Sequence, residues 1–236
     1  MIISHRHKFI FIKPKKVGGT SIEIALSKFC GGGDVLTPIS TKDEAKRAGL
    51  GFVTARNYHK ELSEYSFRQL WRRTFTLHKA KKFYNHMPAS MIRDAVPEQV
   101  WEEYLKVSVV RSPYERAVSR YFWGQDGEAP AESFQSFLMA NLDVLDENRR
   151  ITHIDGVSAV DQWVQFEDMD AGLRELGARL GFGDELAELM RGIHAKKGVR
   201  PKKASAASLF EGFDEGLEKV QELCSEDLAE WGYELR

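Results

Sequence analysis

The residues KKVGGTS, at 15–21, gather groups that suit an oxyanion. Lys16 brings a cation, Gly18 and Gly19 bring backbone amides that a ligand can approach closely, and Thr20 and Ser21 bring hydroxyls. The β-prone run Phe9 to Ile12 precedes this segment, and Ile22, Ala25, Leu26 and Phe29 follow it at helical spacing. A helix start presents N–H groups without partners and the positive end of the helix dipole. A glycine-rich corner from strand to helix is therefore expected to cradle a phosphate or a sulfate. The order differs from the nucleoside-triphosphate loop, G-x-x-x-x-G-K-[ST], because here the lysine precedes the glycines. Glycines at such a corner also make a plain tight turn, and Thr20 could serve as an ordinary N-cap.

A second corner of the same kind lies at VVRSPYERAVSRYFW, 109–123. The buried-strand run 105–110 ends at Arg111, and Pro113 opens a helix with Tyr114, Ala117, Val118, Tyr121 and Phe122 as its apolar stripe. Ser119 follows Arg111 by eight residues, about two helical turns. A guanidinium fork and a hydroxyl on one helix can hold a second phosphate.

Together the two corners resemble the sulfotransferases that use 3′-phosphoadenosine-5′-phosphosulfate (PAPS), most closely the carbohydrate-type branch and its small bacterial relatives. KKVGGTS is similar to that family's 5′-phosphosulfate loop, usually PKTGGTS, with Lys15 in place of proline and Val17 in place of a hydroxyl residue. VVRSPYERAVSRY is similar to its 3′-phosphate segment. FYNHMPASMIRD (83–94) resembles the segment in which a histidine precedes a short helix. The resemblance implies sulfuryl transfer from PAPS to an acceptor hydroxyl, with 3′-phosphoadenosine 5′-phosphate (PAP) as product and no metal. Lys16 would meet the charge developing on the leaving oxygen, beside Val17, Gly18, Gly19, Thr20 and Ser21. Arg111 and Ser119 would bind the 3′-phosphate, and His86 would be the general base. His78, Glu23 and Glu61 are weaker candidates for the base. Arg116 is expected to be structural and Arg120 a surface charge; Lys13 and Lys15 are expected to be solvated. The basic loop HAKKGVRPKK (194–203), with Lys197, Gly198 and Arg200, would close over the nucleotide or meet an anionic acceptor.

Two other classes stay open beside the transferase: an ATP-dependent P-loop kinase, and a module that binds PAP or sulfated glycan without turnover. His153 and Asp155 make a poor metal pair for want of a third ligand. Asp161 and Glu167 are read as structural.

The elements that position these residues alternate between strand and helix along the 236-residue chain. The expected fold is α/β, a single P-loop-type three-layer domain with helices on both faces of a mostly parallel sheet. Strands are expected at 8–13, 105–110 and 162–166. Helices are expected at 20–29, 41–48, 62–83, 88–104 (broken at Pro97), from Pro113, at 133–142, 169–181 and 184–191, and at 214–231. A net charge of −1 gives no global drive toward nucleic acid. No apolar run reaches the length of a membrane span, and Cys30 and Cys224 make no disulfide framework, so a soluble cytoplasmic protein is expected. The partner is expected to be a small molecule or a glycan.

Overall fold

The strand β1 (Ile2–Ser4) turns back through exposed polar residues into β2 (Phe9–Phe11), and the two pair antiparallel, with Ile3 opposite Ile10. β3 (Val35–Leu36) adds to the outer edge of β1, also antiparallel. On its other side β2 pairs parallel with β4 (Leu105–Val110), which pairs parallel with β7 (Gln162–Gln165). The strand order is β3-β1-β2-β4-β7. This computed structural model describes residues 1–66, 79–123, 130–193 and 204–235. The sheet is mixed, which corrects the expectation of a mostly parallel one. The run 1–13 supplies two strands where one was expected, because the polar residues His5–Lys8 form a turn inside it.

Alternate residues of these strands enter different cores, as the period of two requires. Ile2, Phe9, Phe11, Val107, Val109 and Val164 pack with α1 (Gly19–Ser27), α9 (Met169–Leu180) and α10 (Glu185–Gly192). Ile3, Ile10 and Ile12 pack on the other face with Phe83, Met87 and α3 (Ala89–Ala95). Both faces are thus covered, giving three layers. A third, helical core joins α5 (Pro113–Tyr121), α6 (Phe134–Ala140), α7 (Asp143–Asp146), α11 (Ala206–Phe210) and α12 (Asp214–Trp231). The break at Pro97 separates α3 from α4 (Glu98–Glu103) as expected.

Some local expectations change. The helix α2 (Thr41–Gly49) is capped by Ser40, whose hydroxyl accepts the Asp43 N–H; the sequence, with Thr41 and then Glu44 at capping-box spacing, points to Thr41. Leu62–Glu64 is a single 3₁₀ turn, and residues 79–83 are not helical. They lie beside 58–60, with Lys60 N–H donating to Ala80 O and Lys82 N–H to Tyr58 O, so their backbone groups are already used. The stretch after α7 holds one more short turn of helix, α8 (Arg149–Thr152), and a hairpin of β5 (His153–Ile154) and β6 (Val157–Ser158). Asp155 and Gly156, at φ 51° and 81°, make its tight turn, as Asp-Gly does in two-residue hairpins.

A buried ion cluster ties α1 to the sheet. Lys13, just beyond β2, is 2% exposed, and its ammonium lies 2.7 Å from Glu23 of α1. The other Glu23 oxygen accepts from the Met1 amino group at 2.9 Å and faces Arg47 at 3.4 Å; burial lowers the pKa of that amine to about 5, so Lys13 and Arg47 are the cations that remain at pH 7. Burial alone would raise the Glu23 carboxyl, but the facing cations, the Met1 ammonium foremost, hold it at about 2. Removing one partner of such a cluster strands the other charges out of water. Glu23→Gln is therefore expected to cost about 3–5 kcal/mol in urea unfolding. The wild-type contribution should be fully present above the ordinary carboxyl pKa of 4.5 and lost as pH falls toward 2. A cost below about 1 kcal/mol would mean that the cluster behaves as a solvated surface pair.

Candidate functional site

The three parallel strands β2, β4 and β7 all end at one edge of the sheet, and their C-terminal ends deliver the candidate residues. Ligands of open α/β sheets bind at such strand ends. Past β2, Ile12 N–H still donates to Val107 O, and Lys13 then turns its side chain down to Glu23. Lys13 is thus no surface cation, contrary to expectation, because a buried carboxylate waits beneath it. Lys15 does carry a partly exposed ion pair, 2.7 Å from Glu147. Lys16 adopts φ 61° and Gly18 φ 73°, with Val17 between them outside the positive-φ region. Alternation of this kind curves successive N–H groups into a hollow that favours an anion.

Gly18 has two reasons to be glycine. Its φ lies in the left-handed region, and a Cβ there would stand 2.9 Å from the Phe166 ring at the end of β7. At Gly19 a Cβ would stand 3.0 Å from the Lys13 side chain, which runs beneath the helix start. Gly18, and not Thr20, is the N-cap of α1. Among the described residues no side chain caps α1, and no acidic residue sits in its first turn. α2, by contrast, carries Ser40, Asp43 and Glu44 at its start. The N-terminal end of α1 is thus left open to an outside anion. Thr20 and Ser21 are half-buried in its first turn, and Val17 is buried in the core.

Arg111 follows β4 and packs against both neighbouring strand ends. Its guanidinium lies 4.2 Å over the Phe166 ring, and Nη1 donates to the Lys16 carbonyl at 3.1 Å. Nη2 donates to Glu115 at 3.0 Å. Arg111, Glu115, Ser119 and Trp123 follow one another at intervals of four, so they form a ridge along α5 and just past its end. The Lys16 ammonium lies 3.8 Å from the Trp123 ring centroid. Both ends of the ridge therefore touch Lys16, and half-buried Ser119 lies between them. Beside Trp123 an open cavity of about 450 Å³ is walled by Arg120, Tyr121, Phe137 and Asn141 among others. Arg120 is half-buried on that wall and is more than a surface charge. Arg116 is buried, donating to Leu145 O and to Asp227, as its structural assignment requires.

His86 reaches the same corner from a segment 73 residues away. Its Nδ1 lies 2.9 Å from the Lys13 carbonyl, three residues before Lys16. A carbonyl only accepts, so Nδ1 carries the proton and Nε2 keeps the lone pair. His86 holds φ 58°, in the left-handed region that histidine enters more readily than most non-glycine residues. Burial lowers its pKa to about 4, with the Lys13 charge adding to the effect. The imidazole is therefore neutral at pH 7, the state in which a histidine can accept a proton.

Other candidates fall away from the site or outside the described residues. Glu23 is fully buried among cations, and Glu61 caps the 3₁₀ turn. His78, Lys197, Gly198 and Arg200 lie outside the described residues. Asp161 accepts Lys106 N–H, and Glu167 accepts both Ser112 N–H and the Tyr233 hydroxyl, so both hold structure together. The residues that sequence reasoning missed are Phe166, Glu115, Trp123, Glu147 and Asn148. The four-residue ridge was visible in the spacing of Glu115 and Trp123; the others act only through contacts distant in sequence. No family model and no curated protein sequence matches this chain.

The His86 environment gives a direct test. Its ring signals in a two-dimensional ¹H–¹⁵N NMR titration should show the Nδ1–H tautomer and titrate near pH 4 instead of 6.5. Between those values the unfolded chain binds the proton and the folded chain does not, so stability should fall as pH drops through that window. A midpoint near 6.5 would show that the ring is solvated.

Proposed function

We propose that the protein is a sulfotransferase that moves a sulfuryl group from PAPS to an acceptor hydroxyl, on a P-loop-type scaffold. One observation carries this reading. The two candidate anion-binding corners meet at Lys16, whose carbonyl is held by Arg111 and whose ammonium rests on Trp123. A donor with phosphates at two positions needs two such cradles side by side. The open helix start, the hollow at Lys16–Gly18 and the nearby neutral imidazole fit the same donor.

Bound PAPS supplies an activated sulfuryl group on a phosphate leaving group. Around it, the α1 amides and Lys16 would stabilise charge developing on the leaving oxygen. Contact with Trp123, 42% exposed, is worth about 0.5–1 kcal/mol to Lys16. A charge-assisted hydrogen bond is worth about 1.5–3 kcal/mol, so a phosphate oxygen can draw the ammonium off the ring. His86 Nε2 would take the proton of the attacking hydroxyl as its oxygen bonds to sulfur and the bond to the 5′-phosphate breaks, both electron shifts running in line. The cavity beside Trp123 has the size of a small-ligand site. Its lining mixes aromatic rings, Tyr121, Trp123 and Phe137, with polar groups of Arg120 and Asn141, a combination that suits a sugar ring and supports a carbohydrate or glycoconjugate acceptor. Among the described residues no helix is long and apolar enough to cross a membrane. Cys30 and Cys224 are buried free thiols, which accords with a cytoplasmic setting.

Calorimetric titration with PAP, beside ATP plus magnesium, tests the reading. PAP should bind selectively, and both Arg111→Ala and Lys16→Ala should weaken it by about tenfold or more. His86→Ala should keep PAP affinity within about threefold while removing transfer. Binding of ATP with magnesium in preference to PAP would instead favour a kinase, and turnover undiminished in His86→Ala would move the base elsewhere.

A further inference from the structure

Resting on the donor reading above, we infer that Asn148 is a positioning residue for the loop that would hold the 5′-phosphosulfate. Asn148 lies between α7 and α8 and is 5% exposed. Its Oδ1 accepts the Lys15 N–H at 2.8 Å, and its Nδ2 donates to the Lys15 carbonyl at 2.8 Å. The N–H must face an acceptor and the carbonyl a donor, so the two bonds fix the amide orientation. One side chain thus satisfies both backbone groups of Lys15, the service that a neighbouring strand would provide. The loop has left the sheet by this point, and among the described residues no strand pairs with it. Glu147, next to Asn148, takes the Lys15 ammonium at 2.7 Å.

The clamp acts immediately before the strained residue. Lys16 follows at φ 61°, a conformation that persists in a non-glycine residue only where the surroundings enforce it. Arg111 holds the Lys16 carbonyl from one side, and Asn148 holds the preceding peptide from the other. Asn148 is itself anchored, since its carbonyl accepts the Ile151 and Thr152 N–H groups at 3.0 and 3.1 Å and the Thr152 hydroxyl at 3.0 Å. Flanking Val144, Leu145 and Ile151 are buried. A rigid element thus sets the direction of the Lys16 side chain and of the amides after it, without touching the donor.

This role is selective for one end of the donor. PAP would use both cradles, whereas adenosine 3′-monophosphate would use only the one at Arg111 and Ser119. Asn148→Ala should weaken PAP by about ten- to thirtyfold, measured by calorimetry or by competition with labelled PAP. Adenosine 3′-monophosphate should change by less than about twofold. Asn148→Asp keeps the acceptor for Lys15 N–H and loses the donor, so it should fall between wild type and Asn148→Ala with the same selectivity. It also serves as the test variant if the alanine form does not fold. Equal weakening of both nucleotides, or of neither, would overturn the positioning role and leave the donor reading standing. Wild-type protein that bound neither nucleotide would overturn the donor reading, and this inference with it.

Discussion

Burial of the Lys13 ammonium against Glu23 is the constraint on which the site depends. Both side chains are almost fully excluded from water, at 2% and 0% exposure. An isolated charge in that position would be driven out or neutralised. The pair persists because Glu23 uses both its oxygens, facing Lys13, Arg47 and the Met1 amino group. The consequences are geometric. With its side chain committed downward, Lys13 runs beneath the start of α1, and glycine at 19 follows from that path. Its carbonyl is left facing His86. One residue therefore sets the floor of the candidate anion cradle and orients the candidate base.

The rest of the cradle is built from ends of elements and not from their middles. β2, β4 and β7 run parallel, so their last residues converge on one edge. Phe166 at the end of β7 is the common wall, touching the Gly18 backbone on one side and the Arg111 guanidinium on the other. The antiparallel β1 and β3 extend the sheet away from this edge and contribute no candidate residue. Because Arg111 bonds directly to the Lys16 main chain, the two cradles share a contact. Groups that share a contact do not contribute independently to binding or stability.

Both strand–corner–helix units could be read from sequence because every part of them is local. An apolar run, a glycine or proline corner and a helical stripe lie within about twenty residues. The long α12 was equally legible from its stripe. The antiparallel edge was not, since the run 1–13 reads as one strand until the exposed turn at His5–Lys8 is seen to divide it. Lys13 looked like a surface cation because the sequence does not show that Glu23, ten residues on, points back at it from inside the core. Asn148 sits in the polar run DENRR, which has the composition of a solvated stretch. Its partner is 133 residues away, and only the tertiary fold brings them together. His86 could be singled out only by resemblance, because a lone histidine in a loop has no local signature.

The position of His86 also bears on when it can act. A general base works best with a pKa near the working pH, and about 4 is low for that purpose. The depression comes first from exclusion of water, then from the charges of Lys13 and the Met1 amino group, and the Lys13 carbonyl and Glu23 oppose it only in part. An anion in the cradle acts on the same imidazole with the opposite sign to Lys13, because nearby negative charge favours the protonated ring. In the sulfotransferase reading, the donor's own phosphates would thus raise the basicity of the residue that activates the acceptor. The Nδ1–H bond to the Lys13 carbonyl favours the imidazolium as well, since that N–H persists in both protonation states and strengthens when the ring is charged. Without an anion nearby the imidazole holds a proton weakly at neutral pH; in the sulfotransferase reading, bound donor would raise its affinity for the proton.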